Sequence, residues 1–400
     1  MSRMLYTGAR VFDGTGADPR EADLVVEDGR IVDIGASLDG DEAVDLTGRT
    51  IMPGFFDCHV HVVISSIDQW RILNLPFSYR FYEAAQNLRA TLAAGVTTVR
   101  DAGGADLGIK RALADGLIAG PRLQISLAML SQTGGHGDDW MPYGGYVPLL
   151  PSHPGVPEVI VDGPDEMRRK VRELIRMGAD VIKVATSGGV LSPRDDPRHP
   201  HFRPAELDVL VEEATAAGIW VMAHAQASNG IKNAIRAGIR SIEHGIYLDD
   251  EAISLMLERG TWLVPTLVAA VGVVEAASAG AKIPEASLDK ARMVIDVHRA
   301  SFRTAVEAGV RIAMGTDSGV TAHGRNLREL ELMADGGMRP RDVLVATTRG
   351  AAELMGVLDE VGTLEPGKVA DMVVVSGDPY EMRGLADRIE SVYQAGRLVV

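Results

Sequence analysis

Met177-Gly178-Ala179-Asp180-Val181-Ile182-Lys183-Val184-Ala185 is the stretch that decides the fold. An amphipathic helix stops near Gly178 and a short apolar strand starts at once. Glycine at a helix C-terminus takes the left-handed backbone that other residues resist, so helix, glycine, strand is the signature of an αβ turn. The unit recurs in both directions. Upstream, Val96-Thr97-Thr98-Val99 follows a helix ending near Gly95, and 122–131 follows one ending near Gly120. Downstream, 219–223 follows Gly218, Arg240-Ser241-Ile242 follows Gly238, 261–267 follows Gly260, and 311–314 follows Gly309. With the strand near Phe55 that makes eight. Alternation repeated this often predicts parallel strands in an α/β fold, and a closed (β/α)8 TIM barrel is the leading solution. An open doubly wound sheet is the runner-up, but no Gly-x-Gly-x-x-Gly follows the first strand to support it.

The two ends of the chain have another texture. Leu24-Val25-Val26 leads through Glu27-Asp28-Gly29 into Arg30-Ile31-Val32-Asp33-Ile34-Gly35, and Asp-Gly between β-branched runs is a strong hairpin signal. Near the other end, Asp371-Met372-Val373-Val374-Val375 reads as a buried strand and 391–400 as a hairpin. Neither end is long enough for a core of its own, so the two are expected to form one small β domain. That places the β domain at 1–53 and 359–400 and the barrel at 54–358. The Gly- and Pro-rich segment 134–163 follows the third strand and is expected as a loop over the barrel mouth.

Composition narrows the function. The 400 residues are 46% apolar and 24% charged, ordinary globular values. Forty basic against 55 acidic side chains give a net charge of −15, which argues against nucleic acid or an anionic membrane as partner. An anionic small molecule stays allowed, since it feels local charge. Cys58 is the one cysteine, so an intramolecular disulfide and a Cys-rich zinc site are both excluded. The N-terminus lacks the pattern of a secretory signal. The most apolar long window, 262–274, is 13 residues and falls short of the roughly 20 that a membrane helix needs. A soluble cytoplasmic protein is expected, with a homo-oligomer left open.

Chemistry in a parallel barrel belongs at the C-terminal ends of the strands. The first strand ends Asp57-Cys58-His59-Val60-His61, and residues two apart in an extended chain face the same way. Lys183 stands in the apolar fourth strand. The fifth ends Met222-Ala223-His224, the sixth Ile242-Glu243-His244, and the eighth Met314-Gly315-Thr316-Asp317-Ser318. Each residue alone has a plain structural reading, as a packed histidine or a helix cap. Their coincidence at the strand ends of one barrel points to a metal site. His153, His199 and His201 lie in loops and are read as structural. Neutral imidazole and carboxylate suit zinc, with manganese and cobalt next. A buried lysine near cations has a lowered pKa, and its neutral amine reacts with carbon dioxide to give a carbamate that bridges two metals. Two cations sharing a water lower its pKa and supply a bridging hydroxide, with Asp317 as general base.

These residues, in this order, resemble the metal-dependent amidohydrolase superfamily. The run Pro53-Gly54-Phe55-Phe56-Asp57-Cys58-His59-Val60-His61 is similar to the way that family begins its barrel. The stretch Gly362-Thr363-Leu364-Glu365-Pro366-Gly367-Lys368-Val369-Ala370-Asp371 looks like its return to a β-sandwich. The resemblance implies two divalent ions, with zinc the expected metal, on His59, His61, carboxylated Lys183, His224, His244 and Asp317. Local stretches are similar to metallo-dipeptidases that release a C-terminal amino acid: Thr133-Gly134-Gly135-His136-Gly137, Lys183-Val184-Ala185-Thr186-Ser187-Gly188-Gly189-Val190, Ser241-Ile242-Glu243-His244-Gly245 and Gly315-Thr316-Asp317-Ser318-Gly319. By that likeness His136 contacts the scissile carbonyl or the tetrahedral intermediate. Some members carry tyrosine two residues past the fifth-strand histidine, where this chain has Gln226. Tyr247 is a further pocket candidate. A substrate carboxylate needs a cationic or donor-rich pocket, expected from His323, Arg325 and Asn326, with Arg194 and Arg198 as alternatives.

The expected function is a binuclear hydrolase that cleaves the amide of small dipeptides or N-acyl amino acids, Xaa-Pro included. A cyclic-amide hydrolase similar to imidazolonepropionase is the alternative, and Lys183 argues against it, because such enzymes often use one metal and lack the bridging lysine. A non-catalytic metal-binding protein would be favoured by a lost ligand or base, and none is lost.

Overall fold

The computed structural model describes residues 2–192 and 194–400. Phe55–Val60, Val96–Asp101, Val181–Ala185 and Ser241–His244 are buried at every residue. Strands buried on both faces need cover on both, the environment of a parallel sheet flanked by helices. Phe55–Val60 pairs in parallel with Val96–Asp101, which pairs with Arg122–Ile125. A second parallel run follows in the order Met129–Leu130, Val181–Ala185, Trp220–Ala225, Ser241–His244, Trp262–Val264. Helices such as Pro164–Arg176, Pro204–Ala216 and Ser228–Ala237 alternate with these strands. The αβ-turn reading holds at Gly238 and Gly309, which end their helices at φ 94° and 81°.

Two expected strands differ from the simple pattern. The segment 122–131 breaks where Leu127 takes φ 66°. Its first half pairs back to Val96–Asp101 and its second forward to Val181–Ala185. The segment 311–314 forms no regular ladder. Ile312 bridges Leu263, the Cys58 amide donates to the Met314 carbonyl at 2.9 Å, and the His61 amide donates to the Ser318 carbonyl at 2.7 Å. The chain thus lies between Trp262–Val264 and Phe55–Val60 but leaves strand geometry at once. The reason is local: a Cβ on Gly315 would stand 2.4 Å from Val264 Cγ1, and Asp317 has φ 60°.

Strands from the two ends of the chain pair with one another. Arg49–Pro53 lies between Met372–Ser376 and Arg10–Val11 in a six-stranded sheet. Met4–Thr7, Asp23–Glu27, Arg30–Gly35 and Glu42–Asp45 form a four-stranded sheet. The Asp-Gly hairpin is present, with Asp28 at φ 52° and Gly29 at φ 77°. Tyr6, Leu24, Ile51, Met372, Val374 and Tyr393 share one apolar cluster, so both ends contribute to one core. Among the described residues no helix is long and apolar enough to cross a membrane.

The crossing from this region into the parallel strands is tight. The Gly54 amide donates to the Asp371 carbonyl at 2.8 Å, and the Arg122 guanidinium takes both oxygens of the Asp371 carboxylate at 3.0 and 3.1 Å. A Cβ at Gly54 would meet Thr97 Oγ1 at 2.2 Å. Gly54→Ala is therefore expected to cost about 1–3 kcal/mol through overpacking. A fixed-rate thermal scan checks this, and an unchanged midpoint would refute the close approach.

Candidate metal centre

The strand ends bring the expected ligands to the floor of one cavity of about 1480 Å³, open to solvent. His59, His61, Lys183, His224, His244 and Asp317 all line it. Donor atoms of His59, His244 and Asp317 lie within 4.8 Å of one another. Asp317 Oδ1 is 3.5 Å from His59 Nε2 and 3.3 Å from His61 Nε2. The His224 ring is 4.7 Å from that of His244, centre to centre.

Two atoms identify what the cluster lacks. Lys183 Nζ and Asp317 Oδ1 are both buried with no hydrogen-bond partner. Buried polar atoms are normally satisfied, and leaving a charged one unpaired costs several kcal/mol. Four imidazoles, a carboxylate and a lysine nitrogen with free lone pairs or charge fit divalent cations.

Protonation states agree with that fit. Burial drives His59, His224 and His244 well below the usual histidine range, helped by the Lys183 charge at His59, by His136 at His224 and by His59 at His244. Neutral imidazole is the ligand form. Burial would also lower His61, but the Asp317 carboxylate 3.3 Å from its Nε2 raises it. Burial would raise Asp317, yet His59, His61 and Lys183 hold it well below the usual carboxylate range. Burial lowers Lys183 to about 8, against the pull of Glu243 and Asp317.

The layer behind fixes which nitrogen faces the cavity. His59 Nδ1 donates to Glu243 Oε2 at 2.8 Å, and His61 Nδ1 donates to the Gly103 carbonyl at 2.9 Å. His224 uses the other nitrogen, Nε2, which donates to the Gly188 carbonyl at 3.1 Å. Thr266 Oγ1 donates to the Pro265 carbonyl and so accepts from His244 Nδ1 at 2.6 Å. Second contacts of this kind orient metal-binding histidines. Glu243 also accepts from Arg100 Nη2 at 3.0 Å and Ser241 Oγ at 2.6 Å, and Arg100 Nε donates to the Cys58 carbonyl at 2.7 Å. On the helix Glu285–Ala308, His298 Nε2 donates to the His244 carbonyl at 2.9 Å.

The remaining expected residues divide. His136 lines the cavity, its ring stacked on His224 at 4.1 Å. Arg194 also lines it, over the Trp140 ring at 5.3 Å, and Gln226 stands in the wall. The carboxylate pocket expected at 323–326 lies elsewhere. His323 Nε2 donates to the His61 and Ile64 carbonyls, and Arg325 points to solvent. Asn326 is 1% exposed, its Nδ2 donating to Asp57 Oδ2 at 2.7 Å. After Asp317 the chain turns behind the first strand rather than over the mouth, so these side chains brace Asp57 and His61. Tyr247 is not among the cavity-lining residues but packs behind them against Ile67, Val190, Val273 and Val320, and Arg198 is paired with Asp196. Glu243, Arg100 and His298 were missed. Glu243 had a visible signal, a carboxylate beside a strand-end histidine, whereas His298 is one polar residue in a helix.

Comparison with known proteins gives one family. Residues 50–399 match the model of the Amidohydrolase family. The ochratoxinase of Aspergillus niger is 35% identical over 400 aligned positions, which take in 94% of this chain and 82% of that protein. The crystal structure of a Xaa-Pro dipeptidase with methionine bound in the active site is 34% identical with a TM-score of 0.90 over 100% of both chains. That of a prolidase complexed with N-methylphosphonate-L-proline is 35% identical with a TM-score of 0.90 over 99% of both.

Glu243→Ala would leave the Arg100 guanidinium buried without its anion, an expected loss of about 3–5 kcal/mol. The double variant Glu243→Ala with Arg100→Met is expected to recover most of it, and denaturation midpoints of the three proteins decide. A second expectation concerns the metal-free protein. The native Lys183 loses its proton near pH 8 and the unfolded one near 10.5, so between these the unfolded chain binds more protons and stability rises with pH. Urea midpoints from pH 7 to 10 should therefore climb relative to Lys183→Met, and a constant difference would refute the buried amine.

Proposed function

This chain belongs to the amidohydrolase family, and from that we propose that it is a binuclear metal-dependent enzyme cleaving the amide bond of small dipeptides or N-acyl amino acids. One observation carries the reading: the unpartnered Lys183 Nζ and Asp317 Oδ1 among four histidines on the cavity floor. We read the two parallel runs and the segment 311–317 as one (β/α)8 barrel over 54–358. The two mixed sheets are read as a β-sandwich over 1–53 and 359–400.

His59, His61, His224, His244, Lys183 and Asp317 would hold two divalent ions, with zinc the best match to this donor set. When bound, the ions supply an acidified water and an electrophile at the scissile carbonyl. Lys183, lowered to about 8, reaches its neutral amine more easily than an exposed lysine. That amine can add to carbon dioxide, forming an N–C bond and releasing one proton, to give a carbamate whose two oxygens share one negative charge. Lys183 would then offer the ions an anionic donor in place of a costly buried ammonium. Asp317 stays ionised across the working range and takes the proton from the attacking water. As the C–O bond forms and the C–N bond breaks, it passes that proton to the leaving nitrogen. His136, beside His224 on the wall, meets the carbonyl oxygen.

The cavity wall selects the substrate. Ile67, Leu149, Val190, Val273 and Val320 make it largely apolar, which suits an uncharged side chain. Arg194, held over Trp140, is the guanidinium available on the wall for a substrate carboxylate. The methionine in the related dipeptidase and the prolyl phosphonate in the related prolidase support an amino-acid product.

A panel of Xaa-Pro and other dipeptides, N-acyl amino acids and a cyclic amide, run with zinc, manganese or cobalt beside metal analysis, tests the reading. We expect about two ions per chain, with Asp317→Asn losing roughly 10²–10⁴ in kcat. Arg194→Met should raise KM with little change in kcat, as removal of uniform binding does. Full activity after complete metal removal, or activity on the cyclic amide alone, would overturn it.

A further inference from the structure

His136 is held by a loop and a helix that lie outside the cavity floor. Its Nδ1 donates to Ser192 Oγ at 2.7 Å and lies 3.3 Å from Asp195 Oδ2. Ser192 Oγ in turn donates to Asp195 Oδ1. Because a carboxylate only accepts, this arrangement commits Nδ1 as the donor and leaves Nε2 as the nitrogen free for the substrate. The ring is also clamped face-on. His224 stacks on it with an interplanar angle of 19°, and a Cβ at Gly189 would stand 2.2 Å from His136 Cε1.

Asp195 is itself held. Its side chain is 2% exposed, and Oδ2 accepts from the Gly189 amide at 2.9 Å. Lys290, on the helix Glu285–Ala308, places its ammonium among four oxygens of this one loop. They are the carbonyls of Gly189 at 2.8 Å, Ser192 at 2.5 Å and Asp195 at 2.7 Å, and Asp195 Oδ1 at 2.9 Å. One turn earlier, buried Ser287 donates to the Leu191 carbonyl at 3.1 Å. A compact ammonium with donors spread in three directions suits such a nest, which a planar guanidinium would not fill.

We infer that Lys290, Asp195 and Ser192 are positioning residues for His136, fixing its ring and its donor nitrogen through the 188–199 loop. This rests on the reading of His136 as the group that meets the scissile carbonyl. A group misplaced by about 1 Å can lose about 10²-fold in rate, so the clamp acts on turnover rather than on substrate affinity. Lys290 does not line the cavity, which separates its effect from direct contact with substrate.

Two measurements test this. Long-range proton–nitrogen spectra of the histidine-labelled protein, with His136 assigned by its loss in His136→Gln, report which ring nitrogen carries hydrogen. The native protein should show Nδ1 as donor, and Asp195→Ala and Lys290→Met should redistribute the hydrogen. An unchanged His136 pattern in both variants would overturn the inference, and this arm needs no substrate. On a substrate from the panel, each variant should lose 10- to 100-fold in kcat, with KM within threefold and metal content unchanged. On a His136→Ala background neither substitution should slow the enzyme further, since residues acting as one unit are not additive. Additive losses, or losses tracking metal content, would assign the clamp to general stability. If Lys290→Met fails to fold, Asp195→Ala carries both arms. A native protein that turns over no amide but shows the expected spectra would retain the clamp and reject the proposed function.

Discussion

A lysine nitrogen buried to 1% exposure without a hydrogen bond is the constraint on which the rest of this structure depends. A site selected only for folding would place an apolar side chain there, because an unpaired buried ammonium is among the costliest groups a core can carry. Instead the histidines His59, His224 and His244 are driven neutral by the same burial, and the Asp317 carboxylate keeps one oxygen without a hydrogen-bond partner. Each group is unfavourable alone. With Lys183 in its neutral form they make up a set of nitrogen and oxygen donors that suits divalent cations, and the match to the amidohydrolase family agrees with that reading.

The layer behind the cavity converts that constraint into geometry. Arg100, Glu243 and Ser241 form a buried ion pair and hydroxyl that close on His59 Nδ1. Asp57 accepts from the His59 and Thr316 amides, from Thr316 Oγ1 and from Asn326, tying the first strand to the segment that carries Asp317. The helix Glu285–Ala308 braces two strand ends from outside. Ser287 and Lys290 hold the loop after Val181–Ala185, while His298 and Ser301 catch the carbonyls of His244 and Ile246. These four lie on the buried face of a helix whose other face is solvated, so its amphipathic pattern hides a polar stripe within the apolar side.

The strand registry and the proposed ligands were legible in the chain because both rest on local spacing. His59 and His61 are two apart in an extended run, and Lys183 interrupts an apolar strand, so their direction follows from the backbone alone. Arg100 and Glu243 were not assigned, although each sits in a readable strand, because what defines them is a partner more than 140 residues away. The error at 323–326 has a related cause. Closeness to Asp317 in sequence says nothing about which way the chain turns after a residue at positive φ, and here it passes behind the first strand. The segment 311–314 is irregular for the same local reason, since the turn that aims Asp317 removes the residues that would have continued a ladder.

That turn belongs to a pattern around the cavity floor. His244, Thr266 and Asp317 adopt φ of 72°, 52° and 60°, a region that non-glycine residues rarely enter and that costs of order 1–3 kcal/mol each. His244 ends the strand Ser241–His244, Thr266 lies two residues past Trp262–Val264, Asp317 lies three residues past the segment 311–314, and all three line the cavity. In a strand, successive side chains alternate between interior and surface, so a donor at the very end points inward only if its parity is right. A left-handed residue breaks the alternation and lets the side chain enter the cavity whatever its parity, at the expense of a carbonyl or amide turned out of register. The backbone groups so displaced are caught: His298 holds the His244 carbonyl, and the Asp317 amide donates to the His59 carbonyl at 2.7 Å. The strain is therefore local, compensated by named hydrogen bonds, and confined to the positions where donor direction matters more than strand regularity.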